Sequence, residues 1–158
     1  PHKIIKNQYG GEDGFWNFMV SRRHDNCLMG CSLKGNGRSG PHVDEGHPTG
    51  LILNHAYGIT DLVELEDPQN KDKPIRLVRL KNPRGKAEWA GDWSSKSQQV
   101  KDFKPQLEKY VQTLEAEERF KVDVVDGGFF MSYEDWRDNM TFLFTNVDFP
   151  EKWTGVRF

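Results

Sequence analysis

Among the side chains of this chain that can do acid–base chemistry, His55 has the most informative setting: it stands in "LILNHAYGIT", where an apolar segment turns into an alternating one. An imidazole titrates near neutrality and can act as a general base. A histidine at the head of a strand is by default a packed or surface residue, so its meaning depends on a partner. That partner is Asn82, at the end of "IRLVRLKN" and followed by a proline and, two residues later, a glycine. If the two alternating runs pair antiparallel, His55 begins one strand where Asn82 ends the other, and both side chains reach the same edge of the sheet. The asparagine amide oxygen then accepts an imidazole N–H, which fixes tautomer and ring orientation without adding a charge. A histidine oriented in this way suits a cysteine-dependent hydrolase.

The thiols are Cys27 and Cys31. Two cysteines are too few for a disulfide framework in a domain of 158 residues, and they point to a reducing, intracellular compartment. With His42 and His47 they form C-x3-C-x10-H-x4-H, close to zinc-finger spacing. In such a finger the histidines sit on a helix, which Pro41, Gly46 and Pro48 forbid here. The expected state is one buried thiol and two loop histidines.

Hydrophobic period and breakers give the elements that must position His55 and Asn82. Phe15, Phe18 and Met19 recur at helical spacing over residues 14–26, with Asp13 as expected N-cap. "CLMGCSL" reads as a buried strand, and the glycine- and proline-rich residues 34–48 as a loop. Residues 50–65 and 74–80 alternate as strands across the turn "EDPQNKDK". A tryptophan-bearing loop follows, then a helix over residues 105–117, with Phe103, Leu107, Tyr110, Val111 and Leu114 on one face. "FKVDVVDGGFFMS" reads as strand and turn, Ser132 as the cap of a second short helix, and "TFLFTNV" as the strand that ends the core.

The expected fold class is α+β: a few helices packed on a mainly antiparallel sheet. One domain is expected over residues 15–148, between a linker of residues 1–14 and a tail of residues 149–158. With 35% hydrophobic and 12% aromatic residues, a packed core is expected. A net charge of -2 gives no electrostatic reason to expect nucleic acid or an acidic membrane as partner. No apolar run approaches the roughly 18 residues of a membrane span, and the opening residues show no signal-peptide pattern.

Four ordered stretches, "LMGCS", "GLILNHAYGITDL", "IRLVRLKNPRGKAEWAGDWS" and "DGGFFMSYEDW", resemble the C-terminal half of the calpain protease core, a branch of the papain-like cysteine proteases. The resemblance runs from Phe15 to Val147. It implies that His55 is the catalytic histidine and Asn82 its orienting asparagine. The family's nucleophilic cysteine lies in an N-terminal subdomain, within a Gln-Gly-x-x-Gly-Asp-Cys-Trp-like segment that has no counterpart in this sequence. Cys31 matches a buried Gly-Cys-Ser position instead, and Cys27 matches nothing. The implied partners are that N-terminal subdomain and protein or peptide substrates.

The sequence departs from the family in two places. Arg84 stands where a tryptophan shields the histidine–asparagine pair from water. The family also binds calcium on this half; Glu88 and Asp126 match its ligands, whereas Ser95 and Gly128 replace an aspartate and a glutamate. Calcium takes about six to eight oxygens, so the implied site is depleted, with affinity in the millimolar range or weaker even if carbonyls near Val124 contribute. Two functions stay open: the histidine- and asparagine-bearing half of a calpain-type endopeptidase, inactive by itself, or a degenerate module that keeps the fold for binding.

Overall fold

The computed structural model describes residues 2–25, 27–35, 49–85, 88–122 and 126–146. Two helices, α1 (His2–Tyr9) and α2 (Glu12–His24), precede the strands β1 (Met29–Leu33), β2 (His55–Leu65) and β3 (Ile75–Lys81). Helices α3 (Gln98–Asp102) and α4 (Lys104–Gln112) and a single 3-10 turn (Ala116–Glu118) come next, followed by β4 (Gly128–Ser132), α5 (Tyr133–Asn139) and β5 (Phe142–Thr145). The strands make one sheet in the order β4-β3-β2-β1-β5, antiparallel at each pairing. The fold is α+β, as the alternation of the strands and the periodicity of the helices require.

The hairpin of β2 and β3 is the centre of the sheet. From Leu65 opposite Ile75 to Asp61 opposite Arg79 the register is regular, and between Ile59 and Asp61 it shifts by one residue. Thr60 is the extra residue of this bulge, and a one-residue insertion turns the following side chains to the other face. Tyr57 and Ile59 therefore join one apolar cluster, while Val63 and Leu65 join another. The first cluster packs Trp16 and Met19 of α2 and Tyr133 and Trp136 of α5 on the sheet. The second packs Val100, Leu107 and Val111 from α3 and α4 against the opposite face.

Three local expectations are corrected. Residues 2–9, expected within a linker, form α1, because Ile5 finds the first core and is 3% exposed. The N-cap of α2 is Gly11, not Asp13. Asp13 lies in the first turn, where its carboxylate pairs with Arg76 at 2.6 Å. The helix expected over residues 105–117 is the shorter α4, Lys104–Gln112, with the separate α3 ending just before Phe103. Pro105 has no N–H for the preceding turn and fits only at the start of α4. α4 then stops at Gln112, where the Thr113 hydroxyl donates to the Tyr110 carbonyl at 2.7 Å. β5 pairs only with β1 and lies at the sheet edge; Leu143 packs on the core, but Phe142 and Phe144 face outward, about half exposed. Ser132 does cap α5, its hydroxyl accepting the Asp135 N–H at 3.0 Å. His42, His47, Val124 and residues 149–158 lie outside the described residues.

Candidate active site

His55 is the first residue of β2, opposite Leu33. The chain enters through Asn54, whose φ of 52° is a left-handed conformation that asparagine tolerates better than most residues. Three bonds hold the entry. The Asn54 N–H donates to the Leu33 carbonyl at 2.8 Å, the Gly35 N–H donates to Asn54 Oδ1 at 2.9 Å, and the Ile52 N–H donates to the Tyr57 hydroxyl at 2.8 Å. Tyr57, 1% exposed, meets the imidazole edge to face with centroids 5.0 Å apart. Phe129 backs Tyr57 in the same manner, so one side of the histidine ring is walled by aromatic rings.

Asn82 directly follows β3. Its N–H continues the ladder to the Gly127 carbonyl at 2.8 Å, and its own carbonyl accepts the Gly85 N–H at 3.0 Å, closing a four-residue turn with Pro83 at the second position. Gly127 has φ +87°, and a Cβ there would sit 2.9 Å from the Gly85 Cα and 3.1 Å from the Asn82 carbonyl oxygen. Only glycine allows this close approach. The two loops touch where the asparagine is held.

The side chains of His55 and Asn82 meet, as expected of the strand pair, with His55 Nε2 lying 2.9 Å from Asn82 Oδ1. The same oxygen accepts the Arg84 backbone N–H at 2.9 Å, so the amide is turned with its oxygen toward the imidazole. An amide oxygen only accepts, which makes Nε2 the protonated nitrogen and leaves the Nδ1 lone pair for another proton. Asn82 is 1% exposed, whereas His55 is half-buried and open to solvent on one side. Arg84 is exposed, and its contribution to the pair is a backbone N–H that does not depend on its side chain.

Neither thiol fits the role of nucleophile. Both are free and buried. Cys31 is 0% exposed within the first core, and burial pushes its thiol up to about 12. A thiol so disfavoured as thiolate is inert at neutral pH.

The fit of Glu88 and Asp126 to a calcium ion is decided by the partners they already have. Glu88 accepts from Ser95 twice, from the N–H at 3.3 Å and from the hydroxyl at 3.2 Å. Asp126 caps the Gly128 N–H at 2.8 Å and lies 3.3 Å from the Lys81 ammonium, which also donates to the Asp126 carbonyl at 2.8 Å. Burial pushes the Asp126 carboxyl up, but the Gly128 N–H, Lys81 and Arg79 outweigh it and hold the group below its ordinary value. Among the described residues no three of His, Cys, Asp and Glu cluster as a metal site would need. These residues do not fit a calcium ion: one carboxylate is already paired with an ammonium, and among the described residues six to eight hard oxygens are not gathered. Lys81, Tyr57 and Asn54 do not stand out in the sequence as site residues. Only Asn54, a residue prone to left-handed backbone just before the histidine, carries a local signal.

The family model for calpain family cysteine proteases matches residues 2–147. Calpain-B of Drosophila melanogaster is 34% identical over 125 residues, which cover 77% of this chain and 12% of the relative. Calpain-A of the same organism is 37% identical over 115 residues, covering 70% of this chain and 12% of the relative. Calpain-14 of Homo sapiens is 29% identical over 128 residues, covering 81% and 16%. The matched region is thus a small part of each relative.

Proposed function

The chain belongs to the calpain family of cysteine proteases, and from that premise we propose that it is the histidine- and asparagine-bearing half of a calpain-type cysteine endopeptidase. The nucleophilic cysteine is carried by an N-terminal subdomain outside this chain, the substrates are proteins or peptides, and the setting is intracellular. The observation that carries this reading is the 2.9 Å contact between His55 Nε2 and Asn82 Oδ1, with Nδ1 left open. The two free, buried cysteines agree with a reducing compartment. No helix among the described residues is long and apolar enough to cross a membrane.

In this reading Asn82 keeps the proton on Nε2, and His55 Nδ1 takes the proton of the partner thiol. The thiolate attacks the peptide carbonyl, and the imidazolium returns its proton to the departing amine as the C–N bond breaks. Water then attacks the thioester while His55 again removes a proton, and the thiol is restored. Asn82 stabilises the imidazolium through its oxygen and through orientation, with no second charge to hold the proton back. The Arg84 side chain sits at the turn beside this pair and adds exposed positive charge where the resemblance expects an apolar cover.

That departure favours the second reading, a binding module that keeps the fold without catalysis. Peptide hydrolysis by the full-length protein separates the two. An endopeptidase loses at least about 10³-fold in kcat on His55→Ala, with its melting midpoint unchanged. The 158-residue chain alone is expected to show no turnover, both of its thiols being buried. Full-length protein that is equally inactive with and without His55 would establish the binding module.

A further inference from the structure

Two loops meet at Ser95, whose hydroxyl lies 3.4 Å from the Gly128 carbonyl. Residues 88–95 are anchored by Trp89 in the first core and Trp93 in the second. Residues 126–128 hand the Gly127 carbonyl to the Asn82 N–H. Each loop carries an acidic side chain, Glu88 on one and Asp126 on the other.

Both carboxylates are partnered by groups of the chain itself. Ser95, 7% exposed, lies with its hydroxyl 3.2 Å from Glu88 Oε2 and 3.4 Å from the Gly128 carbonyl. It has one proton, so it donates to one of these at a time, the Glu88 carboxylate being the nearer and the charged acceptor. The Lys81 ammonium bonds the Asp126 carbonyl and pairs with its carboxylate. Arg79, the partner of Asp61, lies beside Gly128. A Cβ at Gly128 would lie 2.5 Å from its Nη2, so the guanidinium occupies the space of any side chain at position 128. A divalent cation entering here would meet the positive charges of Lys81 and Arg79 and would have to displace Lys81 from Asp126.

We propose that the loop carrying Asp126 is held against β3 by the chain's own cation, Lys81, in place of a bound divalent metal, and that Lys81 is thereby a positioning residue for Asn82. The path is short: Lys81 fixes Asp126, the next residue Gly127 fixes the Asn82 backbone, and Asn82 presents its oxygen to His55. Loop closure does not depend on catalysis. Its value for orienting a base rests on the protease reading above.

The test uses the 158-residue chain, by thermal melts with and without 1 mM calcium chloride and by nitrogen-15 NMR of the His55 ring and the Asn82 side-chain amide. The wild-type midpoint is expected to move by less than about 2 °C with calcium; a rise of several degrees overturns the metal-free closure. Lys81→Met is expected to shift the His55 ring and Asn82 amide signals, and Lys81→Arg to leave them near wild type. Asp126→Asn, which keeps the Gly128 cap while removing the charge partner of Lys81, is expected to act like Lys81→Met. Unchanged signals in both Lys81→Met and Asp126→Asn overturn the positioning role. Failure of the protease reading would instead appear as inactivity of the full-length protein, with these signals and melts as expected.

Discussion

His55–Asn82 and Asp61–Arg79 are both polar pairs of the β2–β3 hairpin, yet they lie on opposite faces of the sheet and on opposite sides of the bulge at Thr60. The second pair is ionic and deeply buried, Asp61 being 3% and Arg79 7% exposed. Arg79 lies 3.6 Å from Asp61 and bonds Thr60 Oγ1 at 3.0 Å, and its guanidinium lies 3.6 Å from the Phe120 ring centroid. Tyr110 of α4 donates to Asp61 at 3.3 Å. Burial pulls the guanidinium below its ordinary pKa and Asp61 opposes this, but arginine remains charged at any working pH. The first pair is neutral and half open to solvent. A buried ion pair with its lone pairs satisfied has no proton to exchange and serves to join strands, helix and loop. A neutral pair with one free nitrogen can change charge during a reaction.

The contrast is broken most directly at Asp61. Removing one member of a buried ion pair leaves the other charge without compensation, so Asp61→Ala is expected to destabilise the chain by about 3–5 kcal/mol in urea unfolding. The double variant Asp61→Leu, Arg79→Met is expected to recover at least half of that loss, because no buried charge remains. A cost below about 1 kcal/mol for Asp61→Ala would mean that the pair is solvated and that the two pairs are not different in kind.

Asn82 gives the next largest effect, and on another quantity. In the full-length protein Asn82→Ala is expected to lower kcat/KM by about 10²-fold, equivalent to roughly 2.7 kcal/mol, by releasing the histidine tautomer. The activity of the Asp61 double variant, normalised to folded protein, is expected to stay within about threefold of wild type. Equal losses in both variants would show that the ionic pair also sets the catalytic geometry.

The smallest effect sharpens the comparison as a control. Ser132 caps α5, which packs Trp136 and Met140 beneath the face that carries His55. Ser132→Ala is expected to cost about 1 kcal/mol, seen as a lowered melting midpoint. The NMR signals of His55 and Asn82 should not move, since a helix cap supports the core and not the pair.

The sequence by itself determined the hairpin. Alternation in residues 50–65 and 74–80, and the turn residues between them, are local signals, so the pairing of β2 with β3 and the meeting of His55 with Asn82 are legible along the chain. Ser132 and the buried state of Cys31 are legible for the same reason, being set by a cap spacing and by an apolar neighbourhood along the chain. Other features were decided only in three dimensions. The Thr60 bulge reverses which odd-numbered residues face which core, and nothing in "YGITDLVEL" marks it, because a bulge is a property of two strands in register and not of one. Helix α1 reads as a linker until Ile5 has a core to enter. The Lys81 ammonium and the Asp126 carbonyl, 45 residues apart in sequence, become neighbours only when β3 and β4 pair. A carboxylate that matches a metal ligand by position reads as a ligand in sequence, and its partner in the folded chain is a lysine, because ionic partners are chosen by distance in space.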